Sequence, residues 1–334
     1  MKRRDTLAAL LAFGIWPVRG RAQAASRGRA ARIGLFVPSV HVEGARRQFV
    51  AEMRKHGWAE RRDFVIIDLS ASTGAFEVER AATRAIGEMP DLFFVQGTSR
   101  ALAIHRRTAT TPIVMWTSGY PVEAGLAESL GRPGKNVTGN SLYAGTGVWG
   151  KMVQLLREAA PAIRRVGVLW GYSPPAFLRE EIGPPQVELR EAARALGVET
   201  IVTEYQSPDA APQALELLLK AQADALMLVG RAPLGTRHQS VLQVAEQHRL
   251  PTIADSRWPP FEGRNPLLAF GASWDELMRP AVAYVVRILQ GTPAGDLPIQ
   301  QPTRFNLVVN LKTAKALGLK VPQSILVRAD EVIE

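Results

Sequence analysis

The sequence predicts an α/β protein made of two lobes of similar topology, each a parallel sheet flanked by helices, with a hinge between them. Three observations predict this. From Arg32 onward, short apolar runs alternate with amphipathic stretches, the rhythm of parallel strands covered by helices. The runs are nearly continuous rather than alternating, as strands buried on both faces require. Finally, the order of elements over 32–116 returns over 165–253.

In the first half, strands are expected at 33–37 (IGLFV), 64–69 (FVIIDL), 91–96 (DLFFVQ) and 112–116 (PIVMW). Between them, 43–56 and 77–88 carry apolar residues at three- and four-residue intervals and read as helices. The second half echoes this order. Arg32-Ile33-Gly34-Leu35-Phe36-Val37 returns as Arg165-Val166-Gly167-Val168-Leu169-Trp170, and Lys55-His56-Gly57-Trp58 as Ala195-Leu196-Gly197-Val198. Asp91-Leu92-Phe93-Phe94-Val95-Gln96-Gly97 returns as Asp224-Ala225-Leu226-Met227-Leu228-Val229-Gly230, and Thr111-Pro112 as Leu250-Pro251. All four echoes are offset by 133 to 140 residues. A helix at 274–290 ends before Gly291-Thr292-Pro293, a stop signal. A strand at 305–309 and a helix near 311–317 follow.

These signals set the domains. Residues 1–24 form a secretion signal, 32–140 a first lobe that 274–297 rejoins, and 141–272 a second lobe; 298–334 is a tail that either lobe could take. The first crossing is expected near 137–148, where Gly139, Gly145 and Gly147 soften the chain. The leader has the n-, h- and c-region order: Lys2-Arg3-Arg4, the apolar run 7–15, and Ala22-Gln23-Ala24 as a cleavage pattern. Nine apolar positions are too few for a span, which takes about 20. Arg3-Arg4 ahead of Asp5, Thr6 and Leu7 resembles a twin-arginine export motif, so the mature protein is expected in the periplasm.

The 334 residues carry a net charge of +10, of which +4 belongs to residues 1–24. The remainder is spread out, with no basic helix or aromatic-interleaved stripe, which argues against a nucleic-acid partner. There are no cysteines, so disulfides, thiolate metal sites and cysteine nucleophiles are excluded. The five histidines show no HExxH or other close metal spacing, and no G-x-S-x-G elbow exists. Residues 145–150 (GTGVWG) match G-x-G-x-x-G, but the strand after them ends at Leu169-Trp170 without the acid a dinucleotide site needs. No metal, no cofactor and no catalysis are expected.

Ligands of open parallel sheets bind beyond the carboxyl ends of the strands, where loops and helix N-termini converge. In the first lobe those ends supply Ser39, Gly97, Thr98, Ser99, Ser118 and Gly119, with Asn140 and Tyr143 at the crossing. In the second they supply Trp170, Ser173, Arg231, Asp255 and Trp258. Glycines and small hydroxyls beside helix starts expose backbone N–H groups, which suits a carboxylate. Arg231 can pair with a carboxylate bidentately, Asp255 can take an ammonium, and the indoles offer flat faces. Together they suit an amino acid with an apolar side chain, or an aromatic or carboxylate-bearing molecule.

Three blocks carry a family resemblance: 304–333 (RFNLVVNLKTAKALGLKVPQSILVRADEVI), 132–142 (RPGKNVTGNSL) and 91–103 (DLFFVQGTSRALA). They resemble the ABC-transporter substrate-binding proteins that include tryptophan- and tyrosine-binding members. The resemblance implies two Rossmann-like lobes of the type I periplasmic binding protein class. It also implies hinge closure on a small solute and delivery to the membrane permease of an ABC importer. A monomer with no direct membrane insertion is expected. Backbone amides and hydroxyls at Gly97, Thr98, Ser99, Ser118 and Asn140 would then hold the ligand, with Trp170, Ser173 and Asp255 opposite. Trp170-Gly171-Tyr172-Ser173-Pro174-Pro175 departs from the family's more usual Asn-Pro-type turn. A periplasmic α/β enzyme and a ligand-sensing receptor for a membrane signalling protein are the alternatives.

Overall fold

The computed structural model describes residues 29–334 except 73, 143–146, 172–183, 206–207, 230–237 and 256–264. Five strands form the first sheet: β1 (Ala31–Phe36), β2 (Phe64–Asp68), β3 (Leu92–Gln96), β4 (Ile113–Ser118) and β5 (Val137–Ser141). All are parallel, in the order β2-β1-β3-β4-β5. Helix α1 (Val42–Lys55) buries Ala45, Phe49, Val50 and Met53, a three-to-four-residue stripe that meets one sheet face. There Phe49 packs edge-on against Phe94 at 4.7 Å. Helices α2 (Ala75–Gly87) and α3 (Thr98–His105) cover the other face, over Phe93, Val95, Ile113 and Met115.

The second sheet runs β12-β11-β10-β9-β8-β6-β7. Its strands are β6 (Arg165–Trp170), β7 (Glu199–Glu204), β8 (Ala225–Val229), β9 (Thr252–Ala254), β10 (Leu268–Ala272), β11 (Phe305–Asn310) and β12 (Glu331–Ile333). Helices α4 (Gly147–Ala159) and α5 (Pro184–Ala195) pack with one face, and α6 (Ala211–Lys220) and α7 (His238–Gln247) with the other. The echo in the sequence has a physical basis. Asp91 accepts the backbone N–H that opens β1, from Arg32 at 2.8 Å, and Asp224 accepts those of Arg164 and Arg165 at 2.8 and 2.9 Å. Glycine recurs in the first strand of each half because neighbours crowd it. A Cβ on Gly34 would lie 2.7 Å from Leu69, and one on Gly167 2.9 Å from Ala223.

Two features differ from the sequence expectation. Residues 137–141 lie within the stretch expected to cross between lobes, yet form the fifth strand, fully buried. The second sheet is also mixed, because β11 pairs antiparallel with β10 and β12 follows β11. Both differences trace to one detour. After Ala272 the chain enters α8 (Trp274–Leu289), whose Leu277, Met278, Val282 and Val285 pack into the core of the first sheet. The chain then runs along β5, where Thr138 Oγ1 donates to Leu297 O (2.7 Å) and the N–H of Ser141 to Gln300 O (2.8 Å). It returns as β11, so it re-enters the second sheet in the opposite direction. Short helices α9 (Leu311–Ala316) and α10 (Gln323–Leu326) complete that lobe.

Candidate functional site

The carboxyl ends of β1, β3 and β4 meet around the start of α3. Gly97 precedes the helix at φ 94°, ψ 145°, and no side chain caps it. A side chain at these dihedrals is strongly disfavoured. The helix's own ladder begins with the Ala101 N–H, which donates to Gly97 O at 3.2 Å. The N–H groups of the first turn therefore point out of the helix at its positive end. Thr98 fixes the neighbouring strand end to this turn. The Gly119 N–H donates to Thr98 Oγ1 (2.9 Å), which donates to Gly119 O (2.9 Å), and Ser118 Oγ lies 3.0 Å from the same hydroxyl. Thr98 and Ser118 are 6% and 0% exposed, so their hydroxyls stiffen the platform from beneath.

Ser99 is half-buried beside them, and Ser39 is exposed in the turn before α1. Asn140 is fully buried: its Nδ2 donates to Trp116 O (2.9 Å) and Leu277 O (2.8 Å), tying β5 and β4 to α8. In the second lobe, Trp170 is 4% exposed and packs against Trp149, ring centroids 5.2 Å apart. Asp255 is half-buried at the end of β9, its N–H donating to Leu228 O (3.1 Å). It stands close enough to Tyr205 to act on it. Burial first, and then the Asp255 charge, hold the Tyr205 phenol well above its usual range. Tyr143, Ser173, Arg231 and Trp258 lie outside the described residues.

Gln96 (with its neighbour His41), Arg100 and Tyr120 also belong to this region and were not singled out as contacts in the sequence. Gln96 is 4% exposed, with Nε2 3.3 Å from His41 Nδ1 and no partner for Oε1. Arg100, 5% exposed, lies in the first turn of α3. Tyr120, at a positive φ of 48°, accepts a hydrogen bond from Trp149 Nε1 at 3.3 Å, which links the end of β4 to α4. The one legible signal was Arg100, a lone cation followed by Ala101-Leu102-Ala103-Ile104 at a helix start. Among the described residues, no three His, Cys, Asp or Glu side chains gather as metal ligands. No described helix is long and apolar enough to cross a membrane.

Comparison with known proteins agrees with this architecture. Residues 53–333 match the model of the ABC transporter substrate binding protein family. The chain is 24% identical over 289 residues to a tyrosine-binding protein of Clostridioides difficile (strain R20291), covering 86% of this chain and 80% of that protein. Among solved structures, a conserved domain protein from Vibrio cholerae superposes with a TM-score of 0.81 at 21% identity, over 91% of this chain and 100% of that one. An ABC domain in complex with L-Trp from Streptococcus pneumonia gives 0.80 at 20% identity, with the same coverage. A ligand-free, open substrate binding protein with adhesive properties from Clostridium difficile gives 0.64 at 23% identity, over 91% and 99%. With the family match spanning most of its length, the chain belongs to the ABC transporter substrate binding protein family.

Proposed function

We propose that this protein is the periplasmic solute-binding component of an ABC importer. It captures a small carboxylate-bearing molecule, an amino acid or an aromatic acid, between its two lobes and presents it to the membrane permease. The observation that carries this reading is the uncapped start of α3 at Gly97, on the carboxyl edge of the first sheet. A positive helix end with outward N–H groups suits a carboxylate. Asp255, on the corresponding edge of the second sheet, suits an ammonium group. Relatives described as tyrosine-binding and as an L-Trp complex support the ligand class.

Capture proceeds by hinge closure, without chemical change to the ligand. A ligand that touches both edges stabilises the closed form by its differential affinity for that form. The hinge consists of three crossings, between Ser141 and α4, between Ala272 and α8, and between Gln300 and β11, separating 31–141 with 274–300 from 147–272 with 305–333. The mature protein acts as a monomer after export directed by residues 1–24. Isothermal titration against the common amino acids and a set of aromatic acids tests the proposal. One-to-one binding of at least one of them is the expected result; no heat and no thermal shift with any would overturn the ligand class.

A further inference from the structure

Arg100 is a buried cation that no carboxylate among the described residues answers. It is 5% exposed. Its Nη2 donates to the carbonyls of Ala71 (3.0 Å) and Ser72 (3.1 Å), and its guanidinium carbon lies 5.7 Å from the Phe36 ring centroid. Its Nε is buried without an acceptor. Burial alone, with no charged partner contributing, lowers its pKa to about 10. Arginines this deeply buried are ordinarily paired, because desolvation of the charge is otherwise uncompensated.

The position adds to the anomaly. Arg100 stands in the first turn of α3, and helical side chains lean toward the N-terminus. Its carbonyl partners lie at the carboxyl edge, where Ala71 N–H donates to Val37 O (3.3 Å) beyond the end of β1. A cation there opposes the positive end of the helix dipole. The uncapped turn and the unanswered guanidinium thus concentrate positive potential at one spot. An anion would relieve both.

We infer that Arg100 is the residue that sets the charge class of the ligand. It makes a carboxylate indispensable, with the guanidinium field adding to the amides at the start of α3. This rests on the reading above that a carboxylate-bearing solute docks there. The sheet edge alone would accept a neutral hydrogen-bond acceptor; Arg100 makes it discriminate against one.

The test compares acids with their near-isosteric primary amides by calorimetry: indole-3-propionate with indole-3-propionamide, and 3-(4-hydroxyphenyl)propionate with its amide, beside L-tryptophan and L-tyrosine. In the wild type the acid is expected to bind roughly a hundredfold tighter than its amide, the scale on which a desolvated charge partner is discriminated. In Arg100→Met the ratio is expected to fall to about tenfold or less, mostly through weaker acid binding. Equal affinity for acid and amide in the wild type overturns the inference. A wild-type ratio retained in Arg100→Met also overturns it, and leaves the α3 amides as the source of discrimination. Failure of these six compounds and of the whole titration panel to bind overturns the ligand class itself, and the inference falls with it; if another panel acid binds, it and its primary amide take their place in the same comparison. Should Arg100→Met fail to fold by circular dichroism, Arg100→Gln decides. It removes the charge while keeping N–H donors for the Ala71 and Ser72 carbonyls, so the expected result is a reduced acid-to-amide ratio with unchanged amide affinity, and an unchanged ratio overturns the inference.

Discussion

Replacing Gly97 with alanine isolates the backbone geometry on which the proposed site depends. At φ 94° and ψ 145° the residue occupies a region essentially reserved for glycine. A Cβ built there meets no heavy atom within 4 Å, so the penalty is conformational rather than steric. Holding a non-glycine residue in such a region costs about 1–3 kcal/mol. That is well below the roughly 5–15 kcal/mol of stability typical of a native protein, and the variant should fold. The strain is relieved by rotating φ to negative values, which turns the amides that open α3. Losing one charge-assisted hydrogen bond to the ligand costs about 1.5–3 kcal/mol, roughly a ten- to hundredfold rise in Kd. Urea melts measure the first effect and titration with the best-bound acid the second. A variant that loses stability but keeps wild-type affinity would refute the placement of the ligand at this helix start.

Other substitutions probe the frame around the site. At Gly139 φ is 124° and an added Cβ would lie 2.1 Å from Met115 O. The alanine variant should therefore fail to accumulate as folded protein, and wild-type melting behaviour would contradict this. Asn140→Ala removes the donor shared by Trp116 O and Leu277 O. With buried acceptors losing a partner, thermal and urea melts should register a loss of about 1–3 kcal/mol. His105 is held below its ordinary pKa, chiefly by burial and secondarily by Lys135, against the opposing hydrogen bond with Asn136. Its unfolded form binds a proton first, so stability should fall as pH drops below about 6.5 and level off once the folded form titrates. His105→Gln should flatten that part of the profile; an identical profile would exclude His105 as its source.

Strands buried on both faces were easy to recognise, because β1, β3, β6 and β8 are nearly unbroken apolar runs. Strand β5 was not. Its Val-Thr-Gly-Asn-Ser sequence reads as a connector, and groups far along the chain help to hold it as a strand: Leu297 O accepts from Thr138, and Trp116 O and Leu277 O accept from Asn140 Nδ2. The antiparallel pairing of β10 and β11 was equally hidden. It follows from the excursion of α8 into the other lobe. The sequence places 274–297 back in the first lobe, but nothing local to 305–310 marks the direction in which the chain re-enters the second sheet.

The candidate site was legible as a place more than as a set of contacts. Strand ends and glycines located the start of α3, since backbone geometry there depends on residue type. Depth was not readable. Thr98 and Ser118 turn their hydroxyls to each other, and Trp170 packs on Trp149. Arg100, a residue type usually solvated, lies beneath the surface where its charge matters more.

A crystal structure of the purified protein with its tightest-binding acid tests the central claim most directly. The account predicts carboxylate density within hydrogen-bonding distance of the backbone N–H groups of Thr98 to Arg100, with Asp255 closing from the opposite edge. Ligand density anywhere else, or a ligand touching one lobe only, would contradict it.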